Sequence, residues 1–193
     1  MAATTSAIKK RIWPVLATDA VLLMSALLLR AEGRSWICAC GRILIWAGDT
    51  CSSNNSQQFL DPYSLTHVLH GFAYFWIIAL AFTRRQPSWR LWLAITLGAA
   101  WEVFENTDFV IQRYRADTAS LGYQGDTILN SFGDVLCAVV GYMIARQFGP
   151  RRSLLVFVAF ELILLVWIRD SLLLQVLMLI HPVSAIKTWQ MCS

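Results

Sequence analysis

Charge is what this sequence has least of. Asp, Glu, Lys and Arg make up 15% of its 193 residues, where an average soluble domain carries about a quarter. Lys and Arg exceed the acids only by 16 to 12. They form no dense basic patch interleaved with aromatics, so nucleic-acid binding has no support. Internal repeats and low-complexity tracts are absent too, which removes solenoids and disordered linkers. What the chain does have is apolar surface: it is 57% hydrophobic, with a mean hydropathy of +0.53. That balance excludes a disordered chain and points away from a soluble globule, toward an integral membrane protein.

A bilayer core of about 30 Å asks for about 20 apolar helical residues. Residues 12–29, 65–82, 91–111 and 128–148 meet that demand. A fifth stretch, 154–168, is interrupted by Glu161. The apolar pattern resumes over 171–180, as a continuation or an interfacial helix, until His181-Pro182 ends it, because proline cannot extend the helical ladder. Lys9, Lys10 and Arg11 ahead of the first run resemble a secretory signal. However, that run has the length of a span, and Arg30 and Glu32 stand where small cleavage-site residues belong. The expectation is an all-α, polytopic transmembrane helix bundle of about five spans, forming a single domain over 1–193.

Basic residues in short loops orient such a bundle. With the N-terminus cytoplasmic, Lys9, Lys10, Arg11, Arg84, Arg85, Arg90, Arg146, Arg151 and Arg152 lie inside. Arg30, Arg34, Arg42, Arg113, Arg115 and Lys187 lie outside. Loop 31–63 is then external. Its segment 36–48 is too short to span and suits the interface, where Trp36 and Trp46 fit headgroup depth. Cys38, Cys40 and Cys51 fall in this loop, facing an oxidising compartment. Either Cys51 pairs with one of the other two, or all three are free. Cys137 reads as a small packing residue within a span.

Ionisable side chains inside spans are costly, roughly 2.5–3.5 kcal/mol at mid-bilayer, so their placement carries information. At 1.5 Å per residue, His67 and His70 lie about 3–8 Å inside the outer end of the second span. Glu105 and Glu102 lie roughly 9 and 14 Å below the outer end of the third, and Asn130 and Asp134 about 6 and 12 Å into the fourth. Three helices thus place polar groups in one layer of the outer half. Residues three and four apart share a helix face. The aligned stripes are His67, His70, Gly71 and Tyr74; then Gly98, Glu102, Glu105 and Asn106; then Asn130, Asp134, Cys137 and Gly141. Small residues in these stripes let backbones approach closely. Asp126, just before the fourth span, is placed to cap its N-terminus or to line the mouth of a site.

Two imidazoles with carboxylates make a possible divalent-metal set, such as zinc, with His67, His70 and Glu105 as ligands. Glu102, Glu105 and Asp134 are the candidates for acid–base work. Asn106, Asp126, Asn130 and Arg169 are candidates for substrate contact, Arg169 for an anionic headgroup. Arg169 and Asp170 also read as an interfacial ion pair. Three functions stay open: a metal-dependent or acid–base enzyme acting on a lipid or envelope precursor, a proton-coupled small-solute transporter, and a polar network that only locks the bundle. Membrane lipids are the expected partners.

Several motifs resemble an uncharacterised bacterial multi-pass inner-membrane family. They are Asn55-Ser56-Gln57, Tyr63-Ser64, His67-x-x-His70-Gly71-Phe72 and Trp101-Glu102-x-Phe104-Glu105-Asn106-Thr107. Arg113-Tyr114-Arg115, Tyr123-x-Gly125-Asp126-Thr127-x-x-Asn130-Ser131-x-x-Asp134, Arg169-Asp170 and Ala185-Ile186-Lys187-x-Trp189-Gln190 complete the resemblance. The order His, Glu, Asp over successive spans is more distantly similar to VanZ-like membrane proteins. Gln58 stands where the family pattern has histidine, and Pro62 where it has tryptophan, so Gln58 is left out of the site. The resemblance implies the bacterial cytoplasmic (inner) membrane as location and implies no activity.

Overall fold

The computed structural model describes residues 2–82, 87–120 and 122–191, with side chains from residue 13 onward. Arg84 and Arg85, and the side chains of Lys9, Lys10 and Arg11, all invoked for sidedness, lie outside the described residues. Among the described residues the chain is all-helical. The elements are α1 (Ala2–Ala31), α2 (Ser64–Ala81), α3 (Pro87–Glu105), α4 (Asp108–Asp117), α5 (Ile128–Ile168), α6 (Leu172–Ile180) and α7 (Ser184–Gln190). An isolated bridge between Trp46 and Leu60 is the one β-type pairing among them.

Two helices are long and apolar enough to cross a membrane, over Trp13–Ala31 and Ser64–Ala81. The α5–α6 pair, bent by 74° at its junction, adds a third candidate. That is fewer than the expected five. The third expected span, 91–111, is cut short: α3 ends at Glu105 and a separate α4 starts at Asp108. The Thr107 hydroxyl caps α4 by accepting from the Val110 N–H, so the chain restarts a helix rather than continuing one.

α1 shows what the apolar excess is for. Trp13, Leu23, Met24 and Leu27 are exposed, while Ala26 and Leu29 pack on Ile128. A helix apolar on all sides with one narrow buried stripe is suited to a hydrocarbon surround.

α2 against α5 forms the centre. Gly71 faces the Ala138 carbonyl and Gly141 faces the Val68 backbone, each so close that a Cβ would collide with backbone atoms. The small residues in the predicted stripes therefore do permit close approach. Below this crossing, Leu69, Phe72, Ile78, Tyr142, Ala145 and Leu164 make a continuous core.

α5 is two helical halves joined at Gly149, whose φ of 74° is left-handed and which Pro150 follows. Glycine at such a terminus followed by proline is a stop signal. Phe157 of the second half packs on Phe72 and Trp76 of α2, and Trp76 Nε1 donates to Ser153 Oγ at 2.9 Å. Residues 171–180 form the separate helix α6, capped by Ser171 Oγ accepting from Leu174 N. Glu161, which looked like an interruption of a span, is buried and accepts from the Leu173 N–H at 3.3 Å.

Candidate functional site

The external loop builds the roof of the site. Asp61 is buried and accepts from four groups: Ser56 N at 2.7 Å, Tyr63 N at 2.8 Å, Ser64 N at 3.2 Å and Asn130 Nδ2 at 3.5 Å. Burial pushes the Asp61 carboxyl above its usual range, and the hydrogen bonds from Ser56, Ser64, Tyr63 and Asn130 oppose the rise. Its turn starts α2 and thereby sets the depth of His67 and His70.

The same loop completes the start of α5. A helix leaves its first N–H groups without internal partners. Here Ile128 N donates to Ser35 O at 2.8 Å and Leu129 N to Trp36 O at 3.1 Å. Asn130 N donates to Thr127 Oγ1 at 3.2 Å. Thr127 is thus the cap, which corrects the expectation for Asp126. Asp126 is drawn sideways instead. Its N–H donates to Asn106 Oδ1 at 2.7 Å, and its Oδ2 accepts from Asn106 Nδ2 at 2.8 Å and Tyr123 OH at 3.0 Å. Burial pushes its carboxyl up to about 6, against the lowering effect of Asn106 and Tyr123.

Segment 36–48 is not helical. It runs beside 59–60, with Phe59 N donating to Leu44 O and Ala47 N to Leu60 O. Gln58 is fully buried and holds this turn: its Oε1 accepts from Leu44 N at 2.7 Å, and its carbonyl accepts from Asn130 Nδ2 at 2.8 Å. A disulfide joins Cys38 to Cys40, with Cα atoms 5.1 Å apart. The expected alternative of three free thiols is thereby overturned.

Beneath the roof, His67 is the meeting point of α2, α3 and α5. Its Nδ1 lies 3.1 Å from Glu102 Oε1, and its Nε2 lies 4.0 Å from Glu105 Oε2 and 3.8 Å from Asp134 Oδ2. One donor atom each from His67, Glu102 and Glu105 fall within 4.8 Å of one another. His70 is not in that group. Its ring lies 5.0 Å from those of His67 and Trp101, and its Nδ1 has no hydrogen-bond partner among the described residues. Glu102 is 1% exposed, and neither of its oxygens has an aligned hydrogen-bond donor among the described residues. Glu105 Oε2 and Asp134 Oδ1 are likewise without one, although Tyr114 OH donates to Glu105 Oε1 at 2.8 Å.

Buried carboxylate oxygens are costly to leave unpaired. A mixed imidazole–carboxylate set of this kind suits a divalent first-row metal such as zinc. The orphaned oxygens of Glu102 and Glu105 beside the His67 ring therefore fit such an ion, and His67, Glu102 and Glu105 are the residues that would hold it.

A cavity of about 60 Å³ leads to His67, Glu105 and Asp134. Asp61, Tyr63, Tyr114, Tyr123 and Asp170 also line it and were not singled out from the sequence as site residues. Tyr63, Tyr114, Tyr123 and Asp170 stand in motifs of the family resemblance, and Asp61, beside Pro62 ahead of an apolar run, carries the signal of a helix start. Arg169 does not line the cavity. It is exposed and donates to Trp189 O at 3.2 Å, while its neighbour Asp170 turns inward and accepts from Ser171 N and Gln175 Nε2.

The class these features define is an all-helical protein with membrane-length apolar helices and a buried imidazole–carboxylate cluster at one end. Residues 29–192 match the family model described as protein of unknown function (DUF2585). The chain belongs to that family. It is 41% identical over 181 residues to a UPF0314 protein of Paracoccus denitrificans (strain Pd 1222), covering 94% of each chain. It is 43% identical over 176 residues to a UPF0314 protein of Rhizobium meliloti (strain 1021), covering 91% of this chain and 89% of the relative. No solved structure matches it.

Proposed function

We propose that this protein is a multi-pass component of the bacterial cytoplasmic membrane, crossing it about five times with a cytoplasmic N-terminus. Its outward-facing intramembrane pocket is a metal-dependent hydrolytic site for a lipid or envelope precursor. The observation that carries the reading is the convergence of His67, Glu102 and Glu105 donor atoms within 4.8 Å, beneath a cavity that opens from the roof loop. A divalent ion there would supply Lewis-acid activation of water. We assign the general-base role to Asp134, whose Oδ2 lies 3.8 Å from His67 Nε2. Asn106 and Asn130 hold the roof and the helix ends in register, Asp126 lines the entrance, and Arg169 remains outside for an anionic headgroup. The basic clusters in the inner loops support the orientation, and the two halves of α5 supply the fourth and fifth crossings. The VanZ-like order of His, Glu and Asp agrees with this arrangement.

Elemental analysis of protein purified in detergent tests it. The expected result is about one equivalent of divalent metal, lost in His67→Ala and Glu102→Gln and retained in His70→Ala. Metal-free wild-type protein that takes up no zinc on titration would overturn the reading.

A second reading, in which the network only locks the bundle, is favoured by the fully paired Asn106–Asp126 and Asn130–Gln58 contacts. It predicts that Glu102→Gln and Asp134→Asn change thermal stability and nothing else.

A further inference from the structure

The cavity mouth has a chemistry of its own. Asp61, Glu105, Asp126, Asp134 and Asp170 line it, and no Lys or Arg does so among the described residues. A concave wall of one sign in a low-dielectric surround focuses its field on whatever enters. Most of these acids are internally committed: Asp61 to backbone N–H groups, Asp126 to Asn106 and Tyr123, Asp170 to Ser171 and Gln175. Glu105 Oε2 and Asp134 Oδ1 are both uncommitted, and Glu105 belongs to the metal-type group with His67 and Glu102, which leaves Asp134. Its side chain is only 6% exposed, it lines the cavity, and its Oδ1 has no hydrogen-bond partner among the described residues. Asn55 Oδ1, on the roof side of the same cavity, is also buried and unpartnered.

Two unmet acceptors in one acid-lined cavity call for a ligand that brings charge and N–H donors together. A space of about 60 Å³ is more than a bare ion needs and admits a primary ammonium group. Tyr63, Tyr114 and Tyr123 add aromatic rings to the lining, which favour cations further. A quaternary ammonium would satisfy the field and neither acceptor, since it has no N–H. A primary ammonium has three donors.

We propose that this cavity binds a primary ammonium group, with Asp134 and Asn55 as its acceptors. The group belongs either to the ethanolamine headgroup of a membrane lipid or to a free diamine. The proposal deepens the enzyme reading by naming the substrate's recognised end, and rests on that reading only for the site's location. Metal occupancy is a separate property of His67, Glu102 and Glu105.

The test uses the full-length protein in nanodiscs, with and without added zinc, so that the ammonium site and the metal site fail independently. Thermal unfolding is followed with putrescine, with 1,4-butanediol as the uncharged control, and with tetramethylammonium as the cation lacking donors. Stabilisation by putrescine alone is expected for a free diamine. Stabilisation in phosphatidylethanolamine discs over phosphatidylcholine discs, without a putrescine effect, is expected for the lipid. Asp134→Asn should weaken the effective ligand about 10–100-fold, the worth of a charge-assisted hydrogen bond. Asn55→Leu, at the roof and away from the helix core, should weaken it about tenfold. Equal responses to putrescine, butanediol and tetramethylammonium together with no lipid preference would overturn the proposal. So would unchanged binding in both variants.

Discussion

Asn106 and Asp126 close a two-bond ring between the end of α3 and the start of α5. Asp126 N donates to Asn106 Oδ1 at 2.7 Å while Asn106 Nδ2 donates to Asp126 Oδ2 at 2.8 Å. Asn106 also turns its Nδ2 to Glu102 O at 3.0 Å, so one buried amide ties the helix break at 106–107 to the helix that carries Glu102. The ring fixes where α3 stops, and with it the position of both glutamates relative to His67.

Replacing Asn106 by leucine keeps the volume and removes both bonds, leaving the Asp126 N–H and carboxylate buried without that partner. The expected cost is about 1–3 kcal/mol per stranded group, read as a lower thermal midpoint in detergent. A midpoint within error of wild type would show that water replaces the amide at no cost.

The crossing of α2 and α5 should be far less tolerant than that of α3 and α5. Gly141→Ala places a methyl against the Val68 backbone, which has no rotamer to yield, whereas Gly98→Ala meets only side-chain atoms at 3.7–3.8 Å. Gly141→Ala should therefore destabilise by about 1–3 kcal/mol or more. Gly98→Ala should be neutral or gain up to about 1 kcal/mol from helix propensity. Paired melting curves of the two variants decide this, and equal midpoints would refute the close crossing.

Asp126 gives the stability a pH dependence of definite sign. Its carboxyl titrates near 6 in the folded protein because burial disfavours the charge, against about 3.9 in an unfolded chain. Between these values the folded state binds the proton more tightly. Asp126 therefore lowers stability as pH rises from about 4 to 6, and its contribution is most favourable below about 4. Asp126→Asn, with its carbonyl oxygen at the Oδ2 position, keeps the acceptor for both Asn106 Nδ2 and Tyr123 OH and removes the charge. Its midpoint should exceed the wild-type midpoint more at about pH 8 than at about pH 4. A difference independent of pH would contradict this.

The helix faces were legible in the sequence because burial imposes a period: His67, His70 and Gly71 share one stripe, and Asn130, Asp134 and Gly141 another, whatever else the fold does. The break at Asn106 was not. Phe109, Val110 and Ile111 keep the apolar pattern running past it, and only the Thr107 cap and the tertiary bond to Asp126 stop the helix. The roof escaped for a related reason. Gln58 and Ser35 act through Asn130 and Ile128, far along the chain, and Asp61 mainly through the nearby N–H groups of Ser56, Tyr63 and Ser64, and neither leaves a periodic trace. Tyr114 and Tyr123 stood inside recognised motifs, yet their hydroxyls' targets, Glu105 and Asp126, became evident only when α4 folded back beside the cavity.

Glu161 offers the last test, because two physical accounts of it diverge. As a charge within an apolar helix it would be a burden, and replacing it by alanine would stabilise the protein. In the structure it is buried, and its two oxygens accept from Leu173 N at 3.3 and 3.4 Å, at the N-terminal turn of α6, where negative charge also meets the helix dipole favourably. Ser171 Oγ serves Leu174 N in the same turn, so the two side chains share the α6 donors. Glu161→Ala should then cost about 1–2 kcal/mol and speed amide hydrogen exchange at Leu173 and Leu174 before any change in α2. Glu161→Gln, which keeps an acceptor oxygen, should recover most of the loss. Faster exchange confined to α6 in the alanine variant supports the capping role, whereas a stabilised alanine variant would assign Glu161 to the burden account instead.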